Sequence, residues 1–327
     1  MIRGYLNHRF LSIRITVLFA GLLLSSVILS SSCVKSTYNL DTGSDSDTDY
    51  YNWEELGNIT VSKFTSFDIR HQSAASYGDY VFFISKGRSN IILYDLKSKN
   101  IVYDLKMKRE DESVYHCNQS CFGKNKYDEE DPFPLLYISQ RSQSDQRCFI
   151  EVFRILPVWD RRERSYTSFT VSLVQTIYLP AMSYDNSLGN ANCIIDPSND
   201  IMYTYSRNND PSADNYRRCR ISSFDIPDEK TNRVVLSNQD IQSSFELDCD
   251  AYTMQGGCVQ DGYMYISQGY YNAGFIYLNI IDVKNGLLVY RIDLISLGVL
   301  WEPEGVFSYN NRVMVSHTSG ISVIEKQ

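Results

Sequence analysis

The sequence predicts an all-β chain wound into a β-propeller of five blades. Three observations carry that prediction. The composition suits pleated sheet, one short segment recurs five times at blade-like spacing, and the last copy lacks a strand that a segment near the N-terminus supplies. The chain has 327 residues, with 25 Tyr, 15 Phe and a hydrophobic content of 43%. Aromatic and β-branched residues fit half-buried pleated surfaces, so this content favours one large all-β domain over two average ones. A formal net charge of -8 leaves no basic cluster to neutralise phosphates, which argues against a nucleic-acid partner.

Residues 1–32 read as an export signal. Arg3, His8, Arg9 and Arg14 precede the apolar run "ITVLFAGLLLSSVIL", which is short for a membrane span and typical of a signal-peptide core. Small residues "SSS" lead to Cys33. This resembles a bacterial lipoprotein signal, whose cysteine becomes the lipidated N-terminus. Leu29 stands four residues before Cys33, where the usual lipobox has leucine at three, a relaxed form that resembles lipoproteins of the Bacteroidetes. The resemblance implies lipidation at Cys33, export, and residence in the cell envelope as an outer-membrane lipoprotein, with the membrane engaged through the lipid alone. Residues 33–57 are polar and acidic, bury too little apolar surface to fold, and read as a tether. The "DSDTD" within them fails as a calcium loop. Counted from Asp45, the sixth position is Tyr50 instead of glycine and the twelfth is Leu56 instead of glutamate.

Residues 58–327 carry the repeat. The five copies are "HQSAASYGDYVFFIS", "NQSCFGKNKYDEEDPFPLLYIS", "NANCIIDPSNDIMYTYS", "MQGGCVQDGYMYIS" and "WEPEGVFSYNNRVMVS". Each runs from polar or tiny residues through a small or apolar residue and a turn to an apolar run closed by serine. Aligning Ala75, Cys121, Cys193, Cys258 and Val306 gives gaps of 46, 72, 65 and 48 residues. Periods of ~40–50 residues are those of propeller blades. The first copy then reads as four strands, "AASYG", "YVFFIS", "IILYDL" and "IVYDLKM", and the fourth reads likewise. The two longer gaps leave room for a sixth blade. They are read as insertions because "PVWDRRERSYTS" and "NNDPSADNYRR" have the look of exposed loops. The fifth copy ends one strand short, and "NITVSKFTSF" ahead of the first copy is the spare strand that would close the ring and remove its open edge.

The pattern of small residue, "LYIS" and "EPEG" is similar to bacterial propellers related to phage receptor-binding and teichoic-acid-associated propellers, and to propeller lipoproteins of the Bacteroidetes surface. The likeness covers about Ile59 to Lys326, through short motifs. It implies a propeller that binds carbohydrate or polymer and no particular reaction. On that reading the residues entering the innermost strands converge on one face of the central channel. They are His71, Gln72, His116, Asn118, Gln119, Asn192, Gln255, Trp301, Glu302 and Glu304, with Asn190 beside them. Amides and carboxylates suit sugar hydroxyls, and Trp301, Tyr252, Tyr270 or Tyr271 would stack on a sugar face. The competing reading is that these groups bond backbone where the strands crowd together.

Two other functions follow from the same residues. A glycan-active enzyme, glycosidase or lyase-like, needs two carboxyl groups ~5–5.5 or ~6.5–9.5 Å apart across the substrate. Ahead of the aligned small residue only the fifth copy carries acids, Glu302 and Glu304, while known five-bladed glycosidases draw acids from different blades; Asp68, Asp248 and Asp250 lie nearby in sequence as further candidates, and no catalytic residue is assigned. An interaction platform of the cell envelope would instead show an exposed apolar or aromatic patch. Seven cysteines remain after Cys33, and Cys121, Cys193 and Cys258 share the repeat position that Ala75 fills in the first copy. That equivalence reads as a small buried hydrophobe, and Cys148 and Cys219 both open third strands. His116, Cys117 and Cys121 have no second ligand pair at zinc spacing, so no metal and no cofactor is expected.

Overall fold

A computed structural model describes residues 59–85, 90–108, 115–142, 148–162, 165–179, 192–208, 211–251, 253–270 and 274–326. The expected signal peptide, Cys33 and the tether lie outside the described residues, as do Asn190, Tyr252 and Tyr271. The chain is an all-β propeller. A first strand, β1 (Ile59–Ser66), precedes five antiparallel meanders. The first blade is β2 (Ser73–Tyr77), β3 (Tyr80–Ile84), β4 (Asn90–Asp95) and β5 (Asn100–Lys108). The second is β6 (Tyr115–Phe122), β7 (Leu136–Ser142), β8 (Cys148–Asp160) and β9 (Ser165–Tyr178). The third is β10 (Asn192–Asp196), β11 (Ile201–Arg207), β12 (Cys219–Asp225) and, after the short β13 (Arg233–Val235), β14 (Ser243–Leu247). The fourth is β15 (Met254–Gln260), β16 (Tyr263–Gly269), β17 (Ile276–Asp282) and β18 (Leu287–Asp293). The fifth is β19 (Gly305–Tyr309), β20 (Arg312–His317) and β21 (Gly320–Lys326), with β1 as its outermost strand.

Why these meanders close into a ring follows from burial. Each strand alternates its side chains between two faces, and both faces of each blade are apolar. The buried residues accordingly form one cluster per junction. Phe82, Leu93 and Phe153 lie between the first and second blades. Ile150, Met202 and Phe224 lie between the second and third. Tyr205, Ile221 and Ile266 fill the junction of third and fourth, and Leu278, Val306 and Val315 that of fourth and fifth. Phe83, Phe307 and Met314 join the fifth back to the first. Five sheets with five interfaces make a closed ring; an open stack of five would have four. The innermost strands run side by side in the order β2, β6, β10, β15, β19 and back to β2.

The closure is made by β1. It pairs antiparallel with β21 from Ile59 opposite Lys326 to Ser66 opposite Gly320, with one irregularity at Lys63/Thr65. Phe67 and Ile69 extend the contact by donating to the carbonyls of Ser319 and Thr318. The spare strand is therefore used as the sequence predicts.

One expectation is corrected. "PVWDRRERSYTS" is not a loop throughout: β8 takes its first four residues and β9 its last four, paired from Phe149 opposite Tyr178 to Asp160 opposite Ser165, with the exposed Arg161 and Arg162 between them. The long gap between the second and third copies is thus partly a hairpin that outgrows its blade. The outer edge of β9 is covered along two stretches, by Met107 and Lys108 of β5 and by Arg233, Val234 and Val235 of β13, all in parallel pairing. That protects an edge otherwise open to pairing. "NNDPSADNYRR" does form a connection between β11 and β12.

The tiny residues of the repeat have a steric cause. Five inner strands meet around a narrow axis, and a Cβ on Gly257 would stand 2.5 Å from Ile194 Cδ1 and 2.9 Å from the Tyr265 carbonyl oxygen. A Cβ on Gly305 would stand 2.6 Å from both the Ala74 Cβ and Ser316 Oγ. Gly257→Ala is therefore expected to cost roughly 1–3 kcal/mol, the usual penalty for overpacking. Urea unfolding measures it, and an unchanged midpoint would mean the inner ring is looser than described.

Candidate functional site

The end of the channel where the chain enters the inner strands is the entry mouth, and the end where those strands finish is the exit mouth. Most of the polar residues predicted to line the entry mouth are engaged with neighbouring blades. Ser73 Oγ lies 2.6 Å from Ser120 Oγ between the first and second blades. Ser139 Oγ accepts from the Cys193 N–H at 2.7 Å between the second and third. Tyr205 donates its hydroxyl to the Gln255 carbonyl between the third and fourth. Gln255 Nε2 donates to Glu302 Oε1 at 2.6 Å, and Ser267 Oγ donates to the Pro303 carbonyl at 2.7 Å, joining the fourth to the fifth. Gln72 Nε2 donates to Glu304 Oε1 at 2.8 Å, and His71 Nε2 lies 2.9 Å from Ser316 Oγ, joining the fifth to the first. Serines that close the apolar runs thus have a role at three junctions: Ser139, Ser267 and Ser316 each reach the next blade.

The two glutamates of "WEPEG" turn to opposite neighbours. Glu302 bonds the glutamine of the fourth blade and buried Glu304 that of the first. Both come from one segment of one blade, with Pro303 between them.

Gln119 crosses the channel. Its Nε2 donates to the Gly257 carbonyl at 2.5 Å, and its Oε1 accepts from the Gly257 N–H at 3.0 Å. The amide thus behaves like a strand partner to one glycine, fully buried and with its donor and acceptor both used. Blades two and four are not neighbours, so this pair is a plug between the two mouths. Asn118 and Asn192 are buried on β6 and β10 beside it. His116 belongs to β6 by its backbone, while its side chain lies outside the described residues.

What remains open at the entry mouth is a rim. Trp301 is 45% exposed, Leu300 61% and Tyr270 36%. Gln255 ties this rim together, because its Nε2 reaches both Glu302 Oε1 and, at 3.5 Å, the carbonyl of Gly269. The neighbours of Trp301 and Tyr270 therefore meet on one amide.

The exit mouth holds a feature the repeat alone does not disclose. A cavity of about 300 Å³ sits over the ends of all five inner strands, from Ala75 and Ile195 to Val306, with Lys124 and Lys126 among its lining. Four of the five inner hairpins turn tightly there. Asp261-Gly262 and Asn310-Asn311 have positive φ at both central residues, the turn that matches strand twist. The connection from β6 to β7, residues 123–135, is long and forms one wall.

Four of the cysteines are buried, while Cys148, Cys249 and Cys258 are half-buried. Cys121, Cys193 and Cys219 are buried and the seven cysteines of the described residues are free thiols. Burial pushes Cys193 and Cys219 well above the ordinary thiol range. Cys148 and Cys219 open the third strands of their blades, as the sequence predicts.

No protein-family model matches the chain, and no curated protein matches it either. Among solved structures it is similar to glutaminyl cyclase of Myxococcus xanthus, at 9% identity and TM-score 0.44, covering 82% of this chain and 97% of that one. It is also similar to the Swd1 β-propeller domain of Myceliophteria thermophila, at 9% identity and TM-score 0.37 over 83% and 100% of the two chains. BamB of Moraxella catarrhalis matches at 11% identity and TM-score 0.28, over 78% and 69%. None of the three carries a function over to this chain.

The junction of fifth and first blades has a pH signature. His71 is buried against Phe83, ring centroids 4.6 Å apart, with Nδ1 2.9 Å from the Ile69 carbonyl. Burial pushes its imidazole from 6.5 down to about 4, opposed by the Ile69 carbonyl and reinforced by His317. His317, also buried, is pushed down to about 4, with Lys63 adding to the effect. Between those values the unfolded chain binds protons that the folded chain refuses. Stability is therefore complete above about pH 6.5 and falls as pH drops toward about 4. His71 alone accounts for up to roughly 3 kcal/mol of that loss. His71→Gln is expected to flatten the fall in urea stability between pH 7 and pH 4.5, and an unaltered slope would show that His71 is not held neutral.

Proposed function

We propose that this is an exported, lipid-anchored propeller that binds a glycan or other surface polymer at its entry rim, without catalysing a reaction. The observation that carries the reading is the exposure of Trp301 and Tyr270 beside the Glu302–Gln255 pair. An aromatic face packs on the apolar side of a sugar ring, and a carboxylate beside it accepts from ring hydroxyls. Binding is favoured over hydrolysis because Glu302 and Glu304 bond glutamines on opposite sides, so these two acids do not converge on one substrate. The plugged channel favours a ligand lying on the rim over one threading through. The sequence supports export and anchoring through the short apolar run and Cys33.

A second reading, a protein-interaction platform of the cell envelope, is favoured by Leu300, the most exposed residue of the rim patch, next to Trp301.

Two outcomes test the proposal. Trp301→Ala is expected to weaken glycan binding about tenfold in titration, and Glu302→Gln to weaken it less, with the melting temperature held within a few degrees. A glycan array spanning polysaccharide classes with no hit would overturn the glycan reading and leave the platform. For the anchor, Cys33→Ala is expected to move the protein from the membrane fraction of its cells to the soluble one. Retention in the membrane fraction would contradict lipidation at that residue.

A further inference from the structure

The cavity at the exit mouth is built, and it is separate from the entry rim. It is half open to solvent and reaches down to Gly257, the glycine that Gln119 holds, and its sides are the ends of the inner strands, apolar at Ala75, Ile195 and Val306 and polar at Ser76, Ser120 and Ser308. Thiols of Cys121 and Cys258 add soft, weakly polar surface. The polar groups of the lip are mostly used within the protein: Ser76 donates to the Ser308 carbonyl at 2.6 Å.

The wall of residues 123–135 is fixed by charge. Arg154 of β8 makes a two-pronged contact with buried Asp131, Nε to Oδ2 at 2.9 Å and Nη2 to Oδ1 at 2.6 Å. The same guanidinium lies 2.6 Å from Asp128, which also takes Lys230 at 3.1 Å. Tyr127 lies between two cations, with Lys230 Nζ 3.6 Å and the Arg154 guanidinium 5.0 Å from its ring centroid. Two-pronged arginine contacts hold geometry as well as energy. The loop is thus clamped to its own blade and to the third.

That clamp leaves a charge imbalance at the lip. Asp128 and Asp131 are committed to Arg154 and Lys230. Lys124 is exposed and forms no ion pair among the described residues, and Lys126 contacts only the Glu129 carbonyl, at 3.5 Å. Glu129 and Glu130 are exposed on the loop and do not line the cavity. A half-open pocket of mixed lining, with apolar walls and two lysines among its residues, suits a guest with a short apolar body and one negative group.

We propose that the exit mouth binds a small organic anion, a carboxylate on a short apolar body, with the body in the well and the carboxylate against Lys124 and Lys126. The guest is held by burial of its apolar part and by charge at the lip, and no bond is made or broken.

Hexanoate serves as the probe and hexylamine, of similar shape and opposite charge, as the control, in calorimetric titration of the whole protein. Hexanoate is expected to bind and hexylamine not to. Lys124→Gln with Lys126→Gln is expected to weaken hexanoate about tenfold or more. Ser308→Trp, at an exposed lip position, is expected to abolish binding by filling the mouth, with an unchanged melting temperature. Trp301→Ala, at the opposite mouth, should leave hexanoate binding unaltered. The proposal is overturned if hexanoate gives no binding, if hexylamine binds as well, if the paired lysine substitution has no effect, or if a folded Ser308→Trp protein still binds.

Discussion

Closure of the ring is the constraint on which the rest depends. Each four-stranded sheet here is apolar on both faces, so none is stable with a face in water. A linear stack of five would leave two such faces exposed at its ends. Bending the stack until the ends meet buries both, and the fifth blade then needs a fourth strand that the C-terminal copy lacks. The chain supplies it from its own beginning, so β1 and β21 lie in one sheet although residues 59 and 326 open and close the described chain. The cost of joining distant segments is a loop-closure entropy that grows only slowly with length. It is offset by the apolar area buried at the fifth-to-first junction around Phe83, Phe307 and Met314.

Closure also sets the chemistry of the axis. Five inner strands converging on a narrow axis leave no room for a Cβ at Gly257 or Gly305. Larger polar residues in the same segments have only each other and the neighbouring backbone to reach. Each of the five junctions therefore carries at least one hydrogen bond between blades, and Gln119 satisfies itself across the axis. Buried amides and carboxylates that find partners stabilise modestly, whereas an orphaned one would cost more than it gained. The glutamates of "WEPEG" belong to this set. They look like an acid pair when the segment is read alone and like two halves of two inter-blade bonds once the ring is closed.

That difference marks what was legible in the sequence. The propeller class and the strands of the first, fourth and fifth copies could be read, because they depend on local alternation, turn residues and the repeat; the closing role of β1 could be read because the last copy is one strand short. The partners of the predicted site residues could not. Gln72 and Glu304 are 232 positions apart, and Gln119 and Gly257 are 138 apart. Such pairings depend on how the sheets meet, which no local pattern encodes. The β8–β9 hairpin is hard to see in the sequence because the charged turn at Arg161 and Arg162 interrupts the paired residues on either side of it. The exit cavity was hidden for a third reason. Its wall, "GKNKYDEEDPFP", has the composition of any polar loop, and its position is fixed by Arg154, whose pairing with Asp131 leaves no sequence signature.

The two mouths of the channel thus differ in kind: an aromatic rim over a polar ring at the entry, and a half-open pocket with a clamped wall and two lysines at the exit, with the Gln119 bridge between them. Both exist only if the ring is closed by β1. Native-state hydrogen exchange on the purified protein tests that most directly, by comparing the amides of residues 59–66 with those of β20 and β21. The account predicts that paired amides of β1 exchange only with global unfolding, at the same free energy as the fifth blade. Fast exchange of residues 59–66 beside a protected β20 would show that the ring is not closed by this strand, and would contradict the architecture on which both sites rest.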